Sequence, residues 1–223
     1  MDLGFDVLLK GSNFQRLLEG LEVGLKISIV AIVLSIPLGI LMGVIMTLDN
    51  KVTRFITRLH LEIVRIMPQL VLLFIVFFGF PDFFGLNFSS EMASIIVFTF
   101  WGTAEMGDLV RGAIESIPTH QFESMEALGF TKKQGFVHII LPQAVRRLIP
   151  QSINLITRII KTTSITLMIG VVEMIKVSQQ IIDANRMTSP NASFGIYLVV
   201  LLIYFLVCFP ITRLAGYLER KWM

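Results

Sequence analysis

Residues 123–142 read Glu123-Ser-Met-Glu-Ala-Leu-Gly-Phe-Thr-Lys-Lys-Gln-Gly-Phe-Val-His-Ile-Ile-Leu-Pro142, a polar insert between strongly apolar stretches. Phe122, Met125 and Leu128 recur every three residues and form one apolar ridge, while Glu123 and Glu126 share another face. Gly129 can take the left-handed conformation that ends a helix. Thr131 followed by Gln134 is a capping-box pattern that starts the next one. The stretch therefore predicts a short helix, a tight corner and a second helix that stops near Pro142. A membrane has no use for such an amphipathic element, so it points to a soluble partner. The residues alone also allow a helix packed only against its own bundle.

The surroundings decide what kind of chain carries this insert. Of 223 residues, 54% are hydrophobic and 16% charged, against about 25% charged in soluble domains. The composition predicts an integral, all-α membrane protein, in contact with lipid over much of its surface. The net charge of +3 is carried by short, scattered basic groups, which excludes a nucleic-acid footprint. The lone Cys208 rules out a disulfide or a cysteine-based metal site within the chain, and His60, His120 and His138 lack ligand spacing. No leader with a small-residue cleavage site is expected; the first apolar segment directs insertion itself.

A hydrocarbon core of about 30 Å needs roughly 20 apolar residues as helix. Five segments qualify, at about 21–48, 55–80, 92–114, 148–172 and 194–216, with a polar loop at 115–147. The reading is a single five-span helical bundle over residues 1–223, kinked by Pro37, Pro68 and Pro210. One set of connections holds Lys51, Arg54, Arg58, Arg111, Lys132, Lys133, Arg146, Arg147, Arg213, Arg220 and Lys221. The other holds Lys10, Arg16, Lys176 and Arg186. Basic residues favour the cytoplasmic side, so the N-terminus is expected outside, and the 115–147 loop and C-terminus inside.

Several stretches resemble the permeases of ABC importers for polar amino acids. The insert keeps the spacing of their EAA loop: Glu123, then Gly129 after the right gap, then Ile139, Leu141 and Pro142, although Ser124 and Met125 replace the alanine pair. Glu62 to Pro68 resembles EIxRGTP, with Ile66 and Met67 in place of Gly-Thr. Arg111 to Pro118 resembles RGAIxSIP, and Leu141 to Pro150 LPQAxRRxIP. Lys161 to Ser164 resembles KDTS, and Ile169 to Glu173 IGVPE. The resemblance implies a permease that works as a pair, with a second copy or a related chain, in a bacterial inner membrane. It further implies two ATPase subunits holding ATP and Mg, an extracytoplasmic solute-binding protein and an amino-acid cargo. On this resemblance the ATPase-coupling residues are Phe122, Glu123, Met125, Glu126, Leu128 and Gly129, and the 173–191 stretch is an outer loop that meets the binding protein.

Charges inside a span cost about 2.5–3.5 kcal/mol each on insertion scales and need a reason. Gln151, Asn154, Arg158 and Lys161 fall on one helical stripe. Such a stripe lines a bundle interior or a water-filled path. Glu105 and Arg158 lie at similar depth and could meet. Two readings stand. Arg158 and Lys161 hold a substrate carboxylate while Glu105 or Asp108 receives an ammonium, or Glu105 and Arg158 form a structural pair. Thr162 and Ser164 join the path through the KDTS resemblance, with Thr162 in place of its aspartate. Glu62 and Arg65, one turn apart, are expected to pair locally.

No nucleophile triad, metal cluster or G-x-x-x-x-G-K-[ST] loop is present, so the chain is not expected to hydrolyse ATP itself. The function expected is the transmembrane permease subunit of an ATP-driven importer for polar amino acids, in which partner ATPase closure drives alternating access through the 123–142 loop. An ion-coupled secondary transporter using Glu105, Arg158 and Lys161 is the alternative, but five spans without an internal repeat argue against it. A membrane scaffold leaves the intramembrane charges unexplained.

Overall fold

A computed structural model describes residues 4–48 and 50–222; every regular element among them is a helix. Helix α1 (Phe5–Leu9) leads into α2 (Asn13–Met46), and α3 (Lys51–Ile66) follows. Next come α4 (Gln69–Phe74), a π-turn at Ile75–Gly79 and α5 (Phe80–Phe84). Helix α6 (Ser90–Glu115) covers the 92–114 segment. The polar insert holds α7 (Thr119–Ala127), α8 (Lys132–Gly135) and a π-turn at Phe136–Ile140. Helix α9 (Leu141–Thr162) continues as a 3-10 turn at Thr163–Ile169, and α10 (Met174–Ala184) and α11 (Ala192–Trp222) complete the chain.

Helices α2 and α11 are each long and apolar enough to cross a membrane. Pro37 and Pro210 sit inside them without interrupting them. The 55–80 stretch departs from the single helix expected: α3 stops at Ile66 and α4 restarts at Gln69. Pro68 sets that break, because its ring forces the preceding residue out of helical conformation. Pro142 does the opposite of what was expected. The helix runs on through it, and the π-turn just before explains how. An extra residue in the turn widens the helix where the proline ring would otherwise strike a carbonyl. The same device recurs at Ile75–Gly79, just before Pro81.

The chain divides into two compact units. In the first (residues up to 32, 67–98 and 158–210), Val7, Leu8 and Leu17 pack with Met174, Ile181 and Ile196. Helix α2 approaches α10 through Gly20, where an added Cβ would lie 2.9 Å from the Met174 backbone. The stretch read as an outer loop from 173 is largely the helix α10, with Met174, Val177, Ser178 and Ile181 buried. Glu173 is itself buried and accepts hydrogen bonds from the N–H groups of Ile175 and Lys176, both at 2.8 Å. After α10 the stretch continues as the connection from Asn185 to Asn191.

In the second unit (33–66, 99–157 and from 211 on), α2 meets α6 through Gly39 and Gly43. A Cβ at either would stand 2.4 Å from the Cβ of Met106 or of Val110. This G-x-x-x-G spacing lets two backbones approach where apolar side chains gain little from leaving lipid. Replacing Gly43 with Val is expected to destabilise the protein by about 1–3 kcal/mol through overpacking, read as a lower thermal midpoint in detergent. Gly112→Ala on α6, where an added Cβ meets nothing within 4 Å, serves as the neutral comparison.

Candidate coupling loop and substrate path

The loop is held by local backbone chemistry. Helix α7 begins directly after Pro118 and ends at Gly129, whose φ of 75° lies in the left-handed region. The Phe130 N–H reaches the Met125 carbonyl and the Gly129 N–H the Glu126 carbonyl, each at 3.0 Å. These are the paired bonds of a Schellman ending. Thr131 and Gln134 close a complete capping box, with the Gln134 N–H donating to Thr131 Oγ1 and the Thr131 N–H to Gln134 Oε1. The helix, corner and helix read from the sequence are all present.

The apolar ridge is divided, however. Met125 is 7% exposed and packs with Ile117, Ile140 and Ala144, its sulfur close over Gly135. It anchors the loop and leaves little of its surface outward, at the floor of a dent. Leu128 is 72% exposed, while Phe122 and Phe130 flank a dent of about 260 Å³ with Phe136 and Lys132. Glu123 and Glu126 are exposed. The legs of the loop are tied together at their base. Arg147 Nη1 donates to the Ser116 carbonyl at 2.6 Å and to its hydroxyl at 2.8 Å, and Gln143 donates to Gln121 at 3.3 Å. Sequence reading missed this clasp; its only trace was that Ser116 and Arg147 each sit in a motif flanking the loop.

The stripe on α9 is confirmed as a face. Gln151, Asn154, Arg158 and Lys161 are exposed, while Leu155, Thr157, Ile159 and Ile160 are buried on the other side. Thr162 and Ser164 turn their hydroxyls onto their own helix, donating to the carbonyls of Arg158 (2.8 Å) and Lys161 (2.9 Å). Glu105 is partly buried on α6.

Asp108 has a different setting from the one expected. Its carboxylate accepts from Arg65 and from Arg111, the latter at 2.6 Å, and Arg111 also reaches Glu115 at 2.5 Å. The local Glu62–Arg65 pair gives way accordingly: Arg65 bridges to α6, and Glu62 lies 4.0 Å from Arg58. A bridge to another helix outweighs sequence proximity because it also fixes the packing of α3.

The chain matches the family described as "Binding-protein-dependent transport system inner membrane component" over residues 35–223. It belongs to that family. Among curated relatives, it is 32% identical over 169 residues to the probable amino-acid ABC transporter permease protein YckA of Bacillus subtilis, covering 76% of this chain and 72% of that one. It is 31% identical to the probable glutamine ABC transporter permease protein GlnM of the same organism, covering 73% and 72%. The fold is shared with a crystal structure of an amino acid ABC transporter with histidines, at TM-score 0.83 and 22% identity over 93% of this chain and 94% of that one. The inward-facing MetNI methionine ABC transporter superposes at TM-score 0.65 with 18% identity, covering 94% and 95%. Family and relatives together make this chain a multi-pass inner-membrane permease subunit of the amino-acid ABC transporter type, a transport component.

Thr131→Ala removes one half of the capping box and is expected to cost about 1 kcal/mol locally. Amide hydrogen exchange over residues 132–140 should quicken several-fold while α11 is unchanged.

Proposed function

We propose that this subunit imports a polar amino acid by passing ATPase movement through the 119–140 loop into α9. The observation that carries the reading is the loop itself: a short helix fixed by a Schellman corner, a capping box and the Arg147–Ser116 clasp, with Leu128 and both glutamates left outward. A surface so firmly held yet so exposed suits a partner's groove. The basic-residue bias supports a cytoplasmic loop, an external N-terminus and a cytoplasmic C-terminus. The partners on this reading are two ATPase subunits carrying ATP and Mg, a second permease copy or related chain, and an extracytoplasmic binding protein. Family membership favours this powered machine over an ion-coupled transporter.

Cargo would follow the exposed face of α9. Arg158 and Lys161 offer positive charge to a carboxylate, Asn154 adds an amide, and Thr162 and Ser164 keep hydroxyl lone pairs as acceptors. Glu105 receives the ammonium group. Asp108 leaves the path, since Arg65 and Arg111 already hold its carboxylate. Access would alternate between the two sides as the ATPases close and open.

Reconstituted with its ATPase and binding protein, a Phe122→Ser/Leu128→Ser variant is expected to retain ATP hydrolysis but lose most uptake. Uptake at the wild-type ratio to hydrolysis would reject coupling through this loop. Lys161→Gln is expected to weaken apparent substrate affinity about 10- to 100-fold, as loss of a charged hydrogen bond does. Glu105→Gln and Arg158→Gln variants with unchanged selectivity and only reduced expression would instead mark those two as a structural pair.

A further inference from the structure

Helix α3 presents three faces where an ordinary amphipathic helix presents two. One is packed: Leu61 and Val64 are buried, and His60 stacks on Phe100 at a centroid distance of 4.1 Å. A second is apolar and open. Val52, Phe55, Ile56, Leu59 and Ile66 recur at helical spacing, and every one is at least 49% exposed. The third carries Lys51, Arg54, Arg58, Glu62 and Arg65 along the full length of the helix. This basic face opens on a recess of about 430 Å³, where Arg54, Arg58, Arg65 and Arg111 stand with Glu62 and Glu115. Four guanidinium groups stand there against three carboxylates, Glu62, Glu115 and the neighbouring Asp108 that Arg65 and Arg111 share.

Water does not favour an apolar stripe of this length, and the interior of a bilayer does not favour the arginines beside it. Both are satisfied only at the boundary, with the stripe among acyl chains and the cations at headgroup level. We infer that α3 is an interfacial helix and that the arginine recess beside it binds the headgroup of an anionic phospholipid. The recess supplies guanidinium N–H groups at a fixed place, and guanidinium geometry matches phosphate oxygens two at a time. The apolar stripe runs alongside, so one molecule satisfies both faces. Free phosphate would use only the arginines, and a second protein copy would need its own anionic groups to match them. The Arg65–Asp108 bridge ties α3 to α6 beside the recess.

Native mass spectrometry of the full chain, released from detergent with either phosphatidylglycerol or phosphatidylcholine of the same acyl chains, tests this. Phosphatidylglycerol should be retained in preference by roughly 10-fold or more. Arg54→Gln/Arg58→Gln should abolish the preference, whereas Arg186→Gln, an exposed arginine elsewhere, should leave it intact. Should the double variant fail to fold, the unaltered protein still decides: its preference must shrink as salt rises. Inorganic phosphate at ~10 mM should not displace the lipid, since it offers nothing to the apolar stripe. Equal retention of the two lipids overturns the inference, as does a salt-independent preference or one that survives Arg54→Gln/Arg58→Gln. Displacement by phosphate overturns it in favour of a free-anion site. A photo-crosslinker at Leu59 that captures a second copy in place of lipid overturns it in favour of a protein interface.

Discussion

In hydrocarbon there is no water to satisfy a backbone N–H or carbonyl, so the chain must pair its own. Much of this structure answers that demand. Prolines would each remove a donor and push a carbonyl aside, and two of them, Pro81 and Pro142, are preceded by π-turns that absorb the conflict. Where α9 tightens into its 3-10 end, the hydroxyls of Thr163 and Thr166 bond back to the carbonyls of Ile160 and Thr163. Gly170, at φ 89°, closes that end, and the buried Glu173 carboxylate serves the first N–H groups of α10. A carboxylate is an expensive group to bury. Its two backbone hydrogen bonds offset part of that cost, and its position caps the helix that forms the core with α1 and α2.

Packing obeys a second limit. Lipid tails are as apolar as leucine, so helices in a membrane associate through close contact and polar bridges more than through exclusion of water. The glycines of α2 meet the first requirement, at Gly20 in one unit and at Gly39 and Gly43 in the other. The Asp108 cluster meets the second. Its arginines do two things at once: Arg65 ties α3 to α6, and Arg111 extends the pairing to Glu115 within α6 itself. A carboxylate held by two guanidinium groups in this way is committed to packing.

What could be read from the sequence follows from the range of each interaction. The corner at Gly129 and the Thr131–Gln134 box were legible because both are closed by residues within a few positions. The stripe on α9 was legible because 3.6-residue periodicity is a property of one helix. The fate of Met125 was not, since its burial depends on Gly135 and Ala144 across the loop. Arg65 was assigned to Glu62 by proximity in sequence, while its partner lies 43 positions away. Pro142 misled for another reason. Its usual meaning is a stop, and a π-turn leaves no compositional mark that cancels it.

That last difference bears on how the proposed machine would work. A helix stopped at Pro142 would place a flexible joint between the loop and the membrane, and movement at the loop would dissipate there. Helical structure instead continues from Lys132 through α9 to Ile169. On the proposed reading, a shift at α8 meets no loop before α9, since helical structure runs on past Pro142. The Arg147–Ser116 clasp ties α9 to the end of α6 near the base, and the Gln143–Gln121 bond ties it to α7. The surface proposed to meet the partner lies on α7, across the Gly129 corner from α8, and the π-turn at the foot of α9 is what lets helical structure from α8 pass Pro142 unbroken.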